Sequence, residues 1–371
     1  GLCRLPGGKV VLLQPGGLPG ERVLAEVTKS RKGHAEAVIS TVLDPSPQRM
    51  PHPCPHSEAC GGSRFGVIRD QAQQRIKRDM LAEVLARFLP GSLGGDLGTA
   101  LTVTPSPEQW RYRWRAQVHV QGGRPHYRQG ASHDLVALNS CHLLAPELEH
   151  GILGLCADAP DGRCTFAASP FDSVVRMSGD PEPLLLDYRD FPLQLMAPAS
   201  SFFQANWGCN QLLVRHVLHH LGDFTRVADL FAGVGNFALP LAFQKKEVLA
   251  AEADAAAVDA AGKAGGAAGL TTLSTLRLDL GQAGNWGPVR GFRPEALVVD
   301  PPRVGGGKAV QRILEIAGLR RIVWVSCDAV NSCRDLKPFL DNGWDITDCA
   351  MFDMFPQTWH MEAVFVLDRP A

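Results

Sequence analysis

Four strand-like segments in the second half of the chain each run into a residue able to do chemistry. Glu252 follows 247–251, Asp279 follows 273–278, Asp300 follows 296–299 and Cys327 follows 321–326. In an open α/β sheet, ligands bind beyond the carboxyl ends of the strands. One polar residue there is ordinary loop surface; four in succession point to a site. A cysteine after an apolar segment is most often a packing residue. At a strand's carboxyl end, Cys327 is instead placed to act as a nucleophile, since a thiolate is intrinsically strong in that role. Glu362 opens the last apolar segment and is either an exposed strand end or a placed base.

A further strand, 226–231, leads into Asp229-Leu-Phe-Ala-Gly233-Val-Gly235-Asn236. A Gly-x-Gly turn after a strand lets a ligand approach the backbone. The third glycine of a dinucleotide fingerprint is replaced by Leu239-Pro240, which argues against a pyrophosphate grip. Glu252 lies seventeen positions after Gly235. An acid at that distance binds ribose hydroxyls. A nucleoside held without pyrophosphate points to S-adenosylmethionine rather than NAD.

These residues need a scaffold. Helix-like segments, including 207–221, alternate with the strands, and a closing pair falls at 344–351 and 361–367. That alternation predicts a parallel, doubly wound sheet. Residues 1–45 hold three short apolar segments (9–13, 22–28 and 35–43) separated by Gly/Pro turns. They predict a small β barrel, either a structural cap or an OB-like RNA-binding module. Asp44-Pro45-Ser46-Pro47 ends it. A Cys/Pro/Gly loop at 51–63, a helix at 70–89 with its Arg and Lys in water, and a β-rich region at 98–190 follow. Within that region Trp110-Arg-Tyr-Arg-Trp-Arg115 alternates aromatic and basic residues, and no acid lies between Glu108 and Asp134. Period-two alternation puts the arginines on one strand face and the aromatics on the other. The basic face is either solvated or held over phosphates. Arg64, Arg69, Arg75, Lys77 and Arg78 form a second basic group, expected with the first to line a groove leading to Cys327.

The chain has 371 residues, enough for two or three domains, 45% hydrophobic residues and a net charge of −1. Disorder is excluded as the main state. No apolar run approaches the ~18–20 residues of a membrane helix, and the opening residues form no signal-peptide core, so a cytoplasmic protein is expected. Ten cysteines without a secretory signal read as thiols, metal ligands or catalysts. The twelve histidines show no HExxH or paired-ligand spacing, so no zinc site is expected.

From Ser200 to Val366 the chain resembles the S-adenosylmethionine-dependent RNA uridine C5-methyltransferases, of the type that carries a TRAM domain and acts on 23S rRNA. The resemblance is carried by Ser201-Phe-Phe-Gln204-Ala-Asn206, Asp229 to Asn236, Asp300-Pro-Pro-Arg303, Val325-Ser-Cys327 and Asp353-Met-Phe-Pro-Gln-Thr-Trp-His-Met-Glu362. It implies Cys327 as the nucleophile adding to uracil C6 and Glu362 as the base removing the C5 proton. Gln204, Phe231, Asn236, Glu252 and Asp279 would line the cofactor pocket, and Asp300 would face base and cofactor. It divides the chain into a TRAM/OB-like barrel lacking its first strand (1–47), a central RNA-binding domain (48–195) and a Rossmann-like methyltransferase domain (196–371). RNA would be the partner of a monomer, ribosomal RNA ahead of transfer RNA, with Arg111, Arg113 and Arg128 on the phosphates.

Two departures from the family stand out. Its iron–sulfur loop has four cysteines; here Cys54, Cys60 and Cys141 remain and Ser63 stands for the fourth. The resemblance leaves open a three-iron or serine-supported cluster or an empty relic. Asp328-Ala329 also replaces the family's Asn-Pro after Cys327. Two rivals are weighed. An amino-methyltransferase needs no thiol and an aromatic residue where Arg303 stands. A non-catalytic RNA-binding protein keeping the scaffold has no use for Cys327 and Glu362.

Overall fold

The computed structural model describes residues 1–5, 7–13, 16–91, 101–130 and 134–370. Pro6 and Pro15 of the two Gly/Pro turns, and 131–133 at the end of the acid-free window, lie outside the described residues. Four N-terminal strands come first: β1 (Leu2–Arg4), β2 (Val10–Leu13), β3 (Arg22–Ser30) and β4 (His34–Asp44). They pair in the order β1-β2-β4-β3. The expected barrel is instead an open sheet: among the described residues its edges β1 and β3 do not pair. Its core consists of Val11, Ala35 and Ala37 with Cys3 and Leu13 against them. So small an apolar set does not enclose an interior.

After the helix Asp70–Phe88 comes β5 (Leu101–Thr104). Then β6 (Arg115–Gln121), β7 (Arg124–Arg128), β8 (Leu135–Ala137), β9 (Gly162–Ala168) and β10 (Val175–Met177) form a sheet ordered β10-β9-β6-β7-β8. The helix Pro146–Leu155 packs on it, burying Leu148 and Ile152 with Val118, Phe166 and Cys164. The pair β11 (Leu184–Asp187) and β12 (Gln194–Ala197) leads to the helix Trp207–His220.

The last layer contains β13 (Arg226–Leu230), β14 (Glu247–Glu252), β15 (Leu273–Arg277), β16 (Ala296–Val299), β17 (Arg321–Ser326), β18 (Asp345–Phe352) and β19 (Glu362–Asp368). The eight strands run β15-β14-β13-β16-β17-β19-β18-β5. Pairing is parallel from β15 to β17, while β19 runs antiparallel to both β17 and β18. Both faces are buried, so the strands are near-continuously apolar. Side chains alternate between two cores: Val323 and Val325 face one, Ile322 and Trp324 the other. Helices Trp207–His220, Ala238–Phe243 and Ala255–Ala267 cover the first face. The second lies under Asp70–Phe88, Gly287–Phe292, Ala309–Leu314 and Ala329–Asp341. No described helix is long and apolar enough to cross a membrane.

Two expectations change here. The helix Asp70–Phe88 and β5 precede the central sheet in sequence, yet both belong to the last layer. Leu81, Leu85 and Leu101 enter its core, and β5 pairs with β18. A contiguous domain 48–195 therefore does not describe where this segment packs. Lys77, expected in a basic group facing water or lining a groove, is wholly buried. Its Nζ lies 2.5 Å from Asp353 Oδ1 and donates to Phe355 O at 2.9 Å. Arg75, Asp79 and Glu83 of that helix reach water, but Gln73 and Lys77 point inward.

Removing one partner of such a pair leaves an uncompensated buried charge, at a cost of about 3–5 kcal/mol. Lys77→Met is thus expected to lower the melting midpoint sharply, and Lys77→Met with Asp353→Leu to recover most of the loss. Thermal unfolding of the two variants checks this; a double variant as unstable as the single one would contradict it.

Candidate active site

The sheet order reverses between β14 and β16, on either side of β13. Crevices at such switch points hold ligands. The chain leaves β13 through Phe231 (φ 61°), Gly233 (φ 53°) and Gly235 (φ 90°). A bulky residue in the left-handed region is strained, and such strain gathers at ligand sites. Gly235 has a second reason for its type: an added Cβ would lie 3.2 Å from Ala261 Cβ. Glu252 closes over this turn. Its carboxylate accepts from the amides of Gly233 (3.0 Å), Ala253 (2.6 Å) and Asp254 (2.9 Å). Ser201 Oγ donates to Asp254 Oδ2 at 3.2 Å, bringing the 201–206 loop with buried Gln204 to the same edge.

The expected pocket residues differ in what they touch. Asn236 is engaged by a reciprocal amide pair with Asn210, at 2.7 and 3.0 Å. Asp279 is exposed and accepts from Gly281 N and Gln282 Nε2. Phe203 is core, whereas Phe202 is exposed with Arg115 over its ring at 5.7 Å.

Strand register brings the nucleophile candidate near the base candidate. Ser326 pairs with Ala363 across β17 and β19, which sets Cys327 and Glu362 one step beyond the last paired residues, near enough for the Glu362 carboxyl to act on the thiol. Glu362 is buried; burial, then the carboxyl of Asp300, raises its pKa well above the usual carboxylate range. Burial lifts Asp300 to about 7. The Cys327 thiol is pushed up to about 11 by burial and by Glu362, against the opposing pull of a hydrogen bond from Arg303. Sequence reasoning had Arg303 in a motif without a role; its contact with sulfur appears only in three dimensions. The replacement of Asn by Asp at 328 has a local explanation. Asp328 caps the helix Ala329–Asp341, its Oδ1 accepting from Asn331 N at 2.9 Å. Asn and Asp serve equally well as caps.

Cys54, Cys60, Ser63 and Cys141 line one cavity of about 370 Å³, together with Arg64, Arg113, Tyr127, Arg128 and Trp359. Burial raises the thiols of Cys60 and Cys141. Ser63 Oγ lies 3.3 Å from His52 Nε2. The alternating strand expected over 110–115 does not form before Arg115. Arg111 has φ 60° and its guanidinium is tied to Glu149 and to Cys141 O. Glu149 comes from a distant helix, so this pairing is invisible to local periodicity. Tyr112 is buried with its hydroxyl donating to Pro356 O, while Arg128 donates to His119 Nε2 at 3.2 Å.

The raised Asp300 carboxyl sets a pH dependence. A folded-state pKa near 7 against an ordinary ~3.9 means the folded protein holds this proton longer than the unfolded chain. Its neutral form carries no penalty below pH ~4, and the penalty grows as pH rises to about 7. Asp300→Asn is expected to stabilise the protein at pH 8 by about 1–3 kcal/mol and to have little effect at pH 4. Melting curves at the two pH values check the sign.

A family model described as tRNA (Uracil-5-)-methyltransferase matches residues 184–370. The 23S rRNA (uracil(1939)-C(5))-methyltransferase RlmD of Halomonas elongata is 33% identical, with 100% of this chain and 87% of that protein aligned. The RlmD of Marinomonas sp. is 28% identical over 100% of this chain and 92% of its own length. The structure of Pyrococcus abyssi tRNA (uracil-54, C5)-methyltransferase with S-adenosyl-L-homocysteine shares the fold, with a TM-score of 0.73 and 20% identity. It covers 97% of this chain and 95% of that one. The glycine turn at the switch point, the paired thiol and carboxyl, and these relatives agree: the chain belongs to the S-adenosylmethionine-dependent RNA uracil-C5 methyltransferases.

Proposed function

We propose that the protein methylates C5 of one uridine in 23S ribosomal RNA through a covalent adduct on Cys327. The observation that carries this reading is the Ser326–Ala363 register, which sets Cys327 beside Glu362. The RlmD relatives, aligned along the whole chain, favour ribosomal over transfer RNA. S-adenosylmethionine supplies an electrophilic methyl group on a sulfonium, and Phe231, Glu252, Gln204, Asn236 and Asp279 would line its pocket.

The residues then have distinct work. Cys327 loses its proton to water, favoured by the Arg303 hydrogen bond, and its thiolate adds to uracil C6. The electron pair moves to C5, which becomes nucleophilic; the methyl group it takes would leave its sulfonium as a neutral thioether. The Glu362 carboxylate removes the C5 proton, the C5–C6 double bond re-forms and the C6–sulfur bond breaks. Asp300 faces the same space and holds base and cofactor. Because C6 must reach Cys327, the uridine leaves its stack.

Arg113 and Arg128 at the cysteine cavity would contact RNA phosphates, while Arg111 is tied to Glu149 and Cys141 O. The N-terminal sheet would be a TRAM-like module, the five-stranded sheet β10-β9-β6-β7-β8 the RNA-binding part, and the last layer, with the helix Asp70–Phe88 and β5, the catalytic part of a cytoplasmic monomer. Four thiolates normally hold an iron–sulfur cluster. Three thiols and the Ser63 hydroxyl do not complete that set, and no reaction step runs through one. We read the loop as a partly lost cluster site, in which Ser63→Cys raises iron content.

RNA containing 5-fluorouridine should trap a covalent complex with the wild type, because fluorine cannot leave as a proton does. Trapping should be faster at pH 9 than at pH 7, by about tenfold per unit, as the thiolate fraction of a group titrating near 11 grows. Cys327→Ala should give no complex while still binding S-adenosylmethionine. Glu362→Gln should accumulate an adduct with ordinary RNA. Methyl transfer by Cys327→Ala would overturn the mechanism, and a stable fold without any adduct would favour a non-catalytic RNA-binding role. Arg113→Glu with Arg128→Glu should weaken RNA binding and its salt dependence but leave cofactor affinity unchanged.

A further inference from the structure

On the far side of the last layer, two histidines and an aspartate meet. His216 and His220 stand one turn apart on the helix Trp207–His220, their ring centroids 4.6 Å apart. Asp348 comes from β18, where the register shifts between Ile346 and Asp348. A bulge of this kind re-aims a side chain. Asp348 Oδ2 lies 3.4 Å from His216 Nε2 and 3.4 Å from His220 Nε2. One ligand atom from each residue lies within 4.8 Å of the others.

Those distances are long for N–H···O hydrogen bonds, which fall at about 2.7–3.2 Å. They match another geometry. Zinc sits about 2.0–2.1 Å from histidine nitrogen and carboxylate oxygen, and a tetrahedron of that size has edges of roughly 3.3–3.4 Å. His216 Nε2 and Asp348 Oδ2 are also buried without a hydrogen-bond partner among the described residues. Buried polar atoms in native folds are nearly always satisfied, so an exception asks for an absent partner. The surroundings keep the site from being simply a solvated charge cluster. Phe352 packs on the His216 ring at 5.3 Å, and Arg321 Nη1 donates to His220 O.

We propose that His216, His220 and Asp348 bind one divalent transition-metal ion, with zinc the best match and one coordination position left to water. Two imidazoles and a carboxylate suit zinc and its borderline neighbours over calcium or magnesium, which take oxygen ligands. The expectation of no paired-ligand spacing is thereby corrected: His216 and His220 are four residues apart, and only a helix makes that a pair. The ion is structural. Asp348 lies opposite Val366, four residues along β19 from Glu362, or about 13 Å in a strand. It would fasten the end of the helix to the hairpin whose other end carries Glu362. Asn206 already fixes the start of that helix, through Asn206 Nδ2 to Met354 O at 3.1 Å.

The test uses the full chain, stripped with a chelator and titrated with zinc alone or cobalt alone. One zinc ion should raise the melting midpoint by about 5 °C at a hundredfold excess over its dissociation constant. Cobalt should give ligand-field bands without a thiolate charge-transfer band, which separates this site from Cys54, Cys60 and Cys141. His220→Gln and Asp348→Asn should each lose at least tenfold in zinc affinity. A second measurement needs no variant: zinc should protect His216 and His220 of the wild type from diethyl pyrocarbonate, read by mass spectrometry. Unchanged labelling of both, zinc binding that survives both substitutions, or a spectrum showing thiolate ligation alone would overturn the proposal.

Discussion

The active site hangs on the loop between β18 and β19, and that loop is held by buried polar groups from distant parts of the chain. Lys77 pairs with Asp353 and donates to Phe355 O. Gln73 donates to Gln357 Oε1 and accepts from Gln357 N, at 2.7 and 2.9 Å. Tyr112 donates to Pro356 O, Asn206 to Met354 O, and Phe65 N to Gln357 O. Gln357 itself has φ 67°. Each contact satisfies a group that would be costly to leave unpaired away from water. Together they fix where β19 begins, and hence where Glu362 stands. Burial lowers the pKa of Lys77 and raises that of Asp353, so the cost of desolvating the pair offsets much of its mutual attraction.

The same low dielectric shapes the chemistry. Asp229, Asp300 and Glu362 are all shifted toward their neutral forms by burial, with the Asp300 carboxyl adding to the shift of Asp229 and Glu362. Arg303, exposed and bonded to the Cys327 sulfur, is the local cation that favours the thiolate. Titrating groups with displaced pKa values gather at sites built for proton transfer.

Backbone strain sits in the same crevice. Phe231 and the two glycines after it turn the chain sharply out of β13, so that Gly233 N meets the Glu252 carboxylate. The sheet around them is closely packed, with Leu230 and Val299 fully buried on its inner strands. Surroundings that over-determine a turn in this way allow its strain to persist.

The sequence by itself determined the doubly wound layer. Strand-and-helix alternation gave the strands to within a residue or two, because hydrophobic period and Gly/Pro breaks are local signals. It also marked the residues at the strand ends, from Glu252 to Cys327, since topology places carboxyl ends along one edge. It could not supply the pairing of Cys327 with Glu362, which follows from the register of two strands separated by β18. Lys77 read as a solvated helix cation and Arg111 as part of a basic strand face. Their partners, Asp353 and Glu149, are 276 and 38 positions away, beyond any local pattern. The N-terminal segments had the composition of a barrel, but closure depends on how much apolar surface the strands can enclose. His216 and His220 became a pair only when a helix and a bulged strand met. Local propensity sets elements; which buried charge finds which partner is decided by packing, where the cost of an unpaired group in low dielectric is high enough to choose one arrangement.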